Sequence, residues 1–171
     1  MTENQKLLGI LTERDIVRLS AQGYALQGIA VEEVMTTDII TISASKLTDF
    51  FVPLQQFRQH HIRHLPVVDE SGNLQGLISQ SSLRKLLRPV HLLRLRHNAE
   101  TMLKSVIYVD PKVSLRSVSQ LMSDHEISSV VVARGDVPVG IITEGDIVQY
   151  QALELDLAAL TAEAVMSSPL F

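Results

Sequence analysis

Cysteine is absent from the 171 residues. That gap removes disulfides and thiolate metal centres from consideration and is consistent with a reducing compartment. Nor is there an apolar run near the roughly 20 residues that cross a bilayer. The opening MTENQKLLGI lacks the apolar core of a secretory signal. The chain therefore reads as cytoplasmic, with no membrane partner. Positive charge is not in excess: 15 Lys and Arg face 19 Asp and Glu, for a net charge of −4. A protein built mainly for nucleic acid depends on clustered positive charge, so that class is disfavoured. No cysteine nucleophile, nucleophile elbow, phosphate loop or recognisably spaced carboxylate pair occurs. The reading is accordingly of a non-enzyme with no catalytic residues. What is abundant is hydrophobic sequence, 46% of the chain. That suits one or two compact units with a sizeable core and does not suit disorder.

The chain repeats. GILTERDI (9–16), GLISQSSL (76–83) and GIITEGDI (140–147) align, with Thr12, Ser79 and Thr143 at offsets of about 67 and 64. A second series precedes them in each unit: VEEVMTTDII (31–40), AETMLKSVI (99–107) and AEAVMSSPLF (162–171). A third lies between, IRHLPVVDESGNLQG (62–76) and ISSVVVARGDVPVG (127–140). Each unit runs from a short helical turn to a strand such as IITI or VIYV, then to an amphipathic helix. In the second unit Leu115, Val118, Leu121 and Met122 share one face of that helix. Two strands, Leu65–Val68 or Val130–Ala133 and the Gly-Leu-Ile-Ser or Gly-Ile-Ile-Thr strand, form a hairpin across DESGN or RGDV. A last helix starts after the Ser or Thr.

The order is β-α-β-β-α, an α+β fold, with complete copies at about 31–88 and 99–152. The division expected is 1–29 as the C-terminal part of a preceding unit, 30–90 as unit one and 91–97 as a helical linker. Unit two spans 98–153, and 154–171 holds a connecting helix and the start of a following unit. The chain would then be a segment of a longer array, opening mid-hairpin, its half-units completed by each other or by a second chain. The first full unit carries about three extra residues around DFFVPL. Pro53 there predicts an extra turn, with proline near the first helical position.

VMTTDIITI, IRHLPVVDESGNLQGLIS and GIITEGDIV resemble CBS domains, the modules named after cystathionine beta-synthase, over nearly the whole chain. The resemblance implies tandem units pairing into a pseudo-two-fold disc, the Bateman module. It also implies clefts that take AMP, ADP, ATP or S-adenosylmethionine. Such modules usually regulate an attached output domain, here outside this chain, and a homodimer through the discs is expected.

Thr143 and Asp146 are the leading candidates. A Thr before a helix caps it, and an acidic residue three positions on can reach back, in accord with the helix dipole. That structural role accounts equally for Thr12 and Asp15, a further candidate pair. A carboxylate there is also an acceptor pair for vicinal ribose hydroxyls, with helix amides near phosphate. In the resembled family the matching Asp grips ribose and the Ser or Thr lies near ribose or phosphate. By the same resemblance the adenine wall comes from the first strand and the strand entering the hairpin. In unit two these are Val106, Ile107, Ile127, Ser128 and Ser129; in unit one, Ile39, Ile40, Arg63, His64 and Pro66. For each apolar member plain core packing is the competing reading.

Unit one departs at Ser82, where the carboxylate is missing, although Ser79 remains. Hydrogen bonds to charged groups contribute about 1.5–3 kcal/mol against about 0.5–1.5 for neutral ones. Asp146 is therefore favoured over Ser82 for a full-strength ribose site. His60, His61 and His64 in RQHHIRH invite a metal reading, but Ile62-Arg63-His64 should be leaving the helix; no metal is expected. LRKLLRPVHLLRLRH (83–97) carries Arg84, Lys85, Arg88, Arg94 and Arg96. It reads as a linker with a solvated face ahead of a nucleic-acid or membrane surface, and its leucines suit a dimer interface. The alternative to ligand sensing is a ligand-free structural or oligomerisation module.

Overall fold

The structure, a computed structural model, describes residues 1–3, 5–49, 51–86 and 106–168. The linker 91–97, most of the basic stretch and the start of AETMLKSVI lie outside the described residues. In chain order the elements are β1 (Thr2–Glu3), β2 (Lys6–Leu7), α1 (Glu13–Gln22), α2 (Val31–Val34) and β3 (Ile42–Ser43). A 3-10 turn (Ala44–Thr48) follows, then α3 (Phe51–Gln59), β4 (His64–Val68), β5 (Leu74–Ser79) and α4 (Gln80–Leu86). After these come β6 (Tyr108–Val109), α5 (Leu115–Asp124), β7 (Ser129–Arg134), β8 (Val137–Thr143), α6 (Glu144–Ala152) and α7 (Ala162–Val165).

The fold is α+β. It divides into one compact unit of Met1–Ile10 with Thr36–Leu103 and another of Leu11–Met35 with Lys104–Phe171. The first 29 residues are thus shared between the units. Each unit holds a three-stranded sheet with the same pairing: a parallel first pair and an antiparallel hairpin, β3-β4-β5 and β6-β7-β8. Both hairpins shift register at one place, between Val67 and Val68 and between Val132 and Ala133.

In the first unit Ile42, Phe57, Leu65, Val67 and Leu83 form the buried cluster. The N-terminal residues make a small hairpin of their own, β1 against β2, instead of an open strand. Its turn residue Gln5 accepts from the Leu74 amide at 2.8 Å, which ties it to the edge of β5. The added residues of this unit are absorbed by the 3-10 turn. α3 begins two residues before Pro53. The proline falls in the first turn, where its missing N–H costs no helical bond. Asp49 accepts from the Phe51 amide at 2.8 Å and so caps that start.

The second unit buries a longer cluster. Val118 and Met122 of α5, Val130 and Val132 of β7, Ile142 of β8 and Ile147 of α6 pack together with Val17 of α1. Leu115, Val118 and Met122 of the expected α5 stripe are buried, and Leu121 packs at its margin. α1 lies against α5 and α6. Ser20 Oγ donates to Gln151 Oε1 at 3.1 Å, and the two positions are equivalents in the repeat. At the same end of the unit, Leu115 and Arg116 donate their orphan helix-start amides to Leu160 and Leu157 at 2.8 and 2.9 Å.

The heads of the copies are joined to the hairpins before them. Ile10 and Thr36 exchange both backbone bonds at 2.9 Å; Ile141 and Ser167 do the same at 3.1 and 2.9 Å. Met166 lies over Gly140, and a Cβ there would come within 2.9 Å of the Met166 Cβ. Glycine at that repeat position makes room for the methionine.

Candidate functional site

In the second unit the candidate residues gather at one end of the sheet. Ser129 pairs with Thr143 in the hairpin register. The Glu144 amide donates to Ser128 O at 3.0 Å, and Val131 N donates to Ile107 O at 3.2 Å. The start of β7, the end of β8 and the residues leading into β6 are therefore side by side. The first unit repeats this: His64 pairs with Ser79, and the Gln80 amide donates to Arg63 O at 3.1 Å. One expectation needs correction. Ile39, Ile40, Val106 and Ile107 do not lie in the first strands, which hold only Ile42–Ser43 and Tyr108–Val109. They lead into those strands, whose parallel pairing starts at Ile42 with Val67 and at Tyr108 with Val131. Ile127, Ser128 and Arg63 likewise sit just before β7 and β4, while His64 and the buried Pro66 are inside β4.

The three helix starts differ in how they are closed. At α6, Asp146 Oδ2 accepts from the Thr143 amide and the Thr143 hydroxyl, both at 2.7 Å, while Thr143 Oγ1 accepts from the Asp146 amide at 3.4 Å. No partner is found for Asp146 Oδ1 among the described residues. At α1, Asp15 Oδ2 accepts from the Thr12 amide and hydroxyl at 2.8 Å, and its Oδ1 accepts from Arg18 at 3.3 Å. Asp15 is also buried, whereas Asp146 is half-buried. At α4 the serines close on themselves. Ser82 Oγ accepts from the Ser79 amide at 3.0 Å and donates to Ser79 O at 2.8 Å, and Ser79 Oγ accepts from the Ser82 amide at 3.1 Å.

Two features went unread in the sequence. Glu144, the residue after the capping threonine, is buried at 2% exposure and pairs with Arg14 Nε at 3.8 Å. The repeated Thr-Glu of copies one and three was the available signal. Tyr108, 65% exposed, lines a hollow of about 200 Å³ with Val106, Val131 and Pro138 on the outer sheet face. Alternation in VIYV marks it. The histidines are separated: α3 ends at Gln59, His61 turns the chain with φ of 52°, and His64 opens β4. His60 and His64 therefore share no helix face.

The sequence model of the CBS domain matches residues 31–89 and, a second time, residues 99–153. The chain belongs to the CBS domain family. A structure from Methanocaldococcus jannaschii, described as a putative archaeal homolog of g-AMPK, superposes with a TM-score of 0.80. It is 20% identical, over 99% of this chain and 69% of that one, and it shows the CBS fold. An uncharacterized protein of the same organism is 27% identical over 86% of this chain and 38% of its own length. The CBS domain-containing protein YhcV of Bacillus subtilis is 29% identical over 71% of this chain and 85% of its own. An uncharacterized 33.4 kDa protein of Thermofilum pendens is matched over 50% of its length, so the chain spans half or less of two of these relatives.

Proposed function

We propose that this CBS chain is a regulatory, ligand-sensing module, not an enzyme. It binds an adenine nucleotide or related adenosyl metabolite (AMP, ADP, ATP or S-adenosylmethionine) beside Thr143 and Asp146. Binding biases an output domain outside this chain. The observation that supports this is the division of labour within one carboxylate: Asp146 Oδ2 holds the helix start, while Oδ1 has no partner among the described residues. Ile107, Ser128 and Ser129 lie alongside by backbone pairing. Val106 and Ile127 flank them in sequence. Ribose hydroxyls are donors for such an oxygen, and the α6 amides favour phosphate.

Within the same reading Ser79, Arg63, His64, Pro66, Ile39 and Ile40 form a weaker counterpart without a carboxylate. Thr12 and Asp15 form a third place, its second oxygen already held by Arg18. A cytoplasmic homodimer is part of the proposal. Isothermal titration of AMP, ADP, ATP and S-adenosylmethionine tests it. One of them should bind, and Asp146→Asn should weaken that binding about tenfold or more while the melting temperature of the free protein changes little. Absence of heat with all four ligands, and of any melting shift, would sink the reading.

A second reading, a ligand-free oligomerisation module, is favoured by the self-closed serines of α4 and the Asp15–Arg18 pair. It expects one stable oligomer by light scattering and ligand-independent melting.

A further inference from the structure

The second unit contains a cavity of about 340 Å³ at the opposite ends of α1 and α6 from Thr12 and Thr143. That size falls within the range of small-molecule pockets. It is lined by charges of both signs: Arg116 from the start of α5, and Glu154 and Asp156 just beyond α6. Among the described residues no ion pair joins Arg116 to either carboxylate. Arg116 instead donates Nε to Ala21 O at 3.5 Å and rests against Gly23, where any Cβ would overlap the guanidinium. Gly23 has a φ of 79° and closes α1, so its conformation and its lack of a side chain both set where Arg116 lies.

The helix ends reinforce the two charges. Arg116 stands in the first turn of α5, the positive end of its dipole. The carboxylates follow the last turn of α6, the negative end, which carries no basic residue. Asp156 spends one oxygen on the Ala158 amide, at 2.9 Å. The pocket is thus polarised, with a positive pole at Arg116 and a negative pole at Glu154 and Asp156. Tyr24, Leu26 and Leu155 supply the apolar part of the lining, and Tyr24 is 53% exposed.

A ligand of one charge would leave one pole unmatched. We propose that this cavity is a second ligand site, separate from the adenosyl site and independent of that reading, and that its occupant is a free α-amino acid. The carboxylate would face Arg116, the ammonium would face Glu154 and Asp156, and the side chain would lie against Tyr24, Leu26 and Leu155. A guanidinium suits a carboxylate through its fork of donors, and an ammonium suits paired acceptors.

The test is calorimetric titration of the intact protein with each of the twenty common amino acids at low ionic strength. Any amino acid that binds is then compared with its decarboxylated amine and its N-acetyl derivative. The expected result is binding by one or a few amino acids, with both derivatives weakened about tenfold or more. Glu154→Gln should weaken the amino acid similarly and leave adenine-nucleotide titrations unchanged. That variant keeps the shape of an exposed side chain and removes its charge. Arg116→Gln, read alongside its melting curve, probes the other pole. No binding by any of the twenty overturns the proposal. So does equal binding of the amine, which would mean a simple cation site. So does full retention of affinity in Glu154→Gln.

Discussion

At the residue scale the three copies of one helix start form a natural series. Asp146 and Asp15 reach back with a carboxylate, and Ser82 reaches back with a hydroxyl at a similar distance. The cap survives the loss of charge because an oxygen is still placed on the amide of the preceding Ser79. Replacing Ser82 by Asp should therefore be accepted by the fold. The charged acceptor at a helix N-terminus should stabilise the unit by about 0.5–1 kcal/mol, read in urea melts. A lower midpoint would mean the serine cluster does more than cap. Asp69 offers a different residue-scale check. It sits in the β4–β5 turn and accepts from the Asn73 and Ser71 amides and from the Asn73 and Gln75 side chains. The Asn73 amide is the main cause holding its carboxyl below the ordinary value, against a smaller opposing effect of burial. A depressed folded value means that the turn's contribution is present above the unfolded carboxylate pKa of about 4 and lost as pH falls through the lower folded value. Carbon-detected NMR titration should place the Asp69 midpoint below those of the exposed carboxylates; a midpoint among theirs contradicts the hydrogen-bond account.

At the element scale the repeat was legible because its motifs are punctuated by residues with separate physical jobs. Gly lies inside the last strand, Thr or Ser ends it, and the residue three further on caps the start of the next helix. Those spacings placed Thr143 and Asp146 at a helix start and Ser128 beside them. They did not show that the first strands hold only two residues, since strand length depends on the neighbour that pairs with it. The extra turn and a proline in the first turn of α3 were legible from Pro53, but the acceptor for the Phe51 amide, Asp49, lies outside the repeat pattern. Nor could sequence show that α1 would pack on α5 and α6, which is a matter of tertiary fit at Val17 and Ser20. The glycine of the repeat does make a prediction. Gly140→Ala should destabilise the second unit by about 1–3 kcal/mol through overlap with Met166. Met166→Ala in the same chain should recover part of that loss, a coupling that a double-mutant cycle measures. Simple additivity would show that the contact is not what excludes the side chain.

For the whole molecule, the two units share a topology but not a core. Among the described residues the first buries Ile42, Phe57, Leu65, Val67 and Leu83, while the second adds α1 and the segment around Leu157, Ala162 and Val165 to its sheet and helices. Buried apolar area is the main source of stability, so the second unit should open less often. Hydrogen exchange read by mass spectrometry should find β7 and α5 amides slower than those of β4 and α3. The reverse order would place the stable nucleus elsewhere. The strand bridges carry a further meaning for how such a chain can be divided. Ile141 finds its backbone partner in Ser167, beyond the last helix of its own copy, and Ile10 finds its partner in Thr36 across the whole of α1 and α2. The written period and the folded period are therefore out of phase, like roof tiles whose lower edge is held down by the next row. A cut made where the sequence repeat ends would strip the outer strand of its cover. A transplanted second copy would have to carry the opening residues of its successor and also α1, whose Val17 lies in its core.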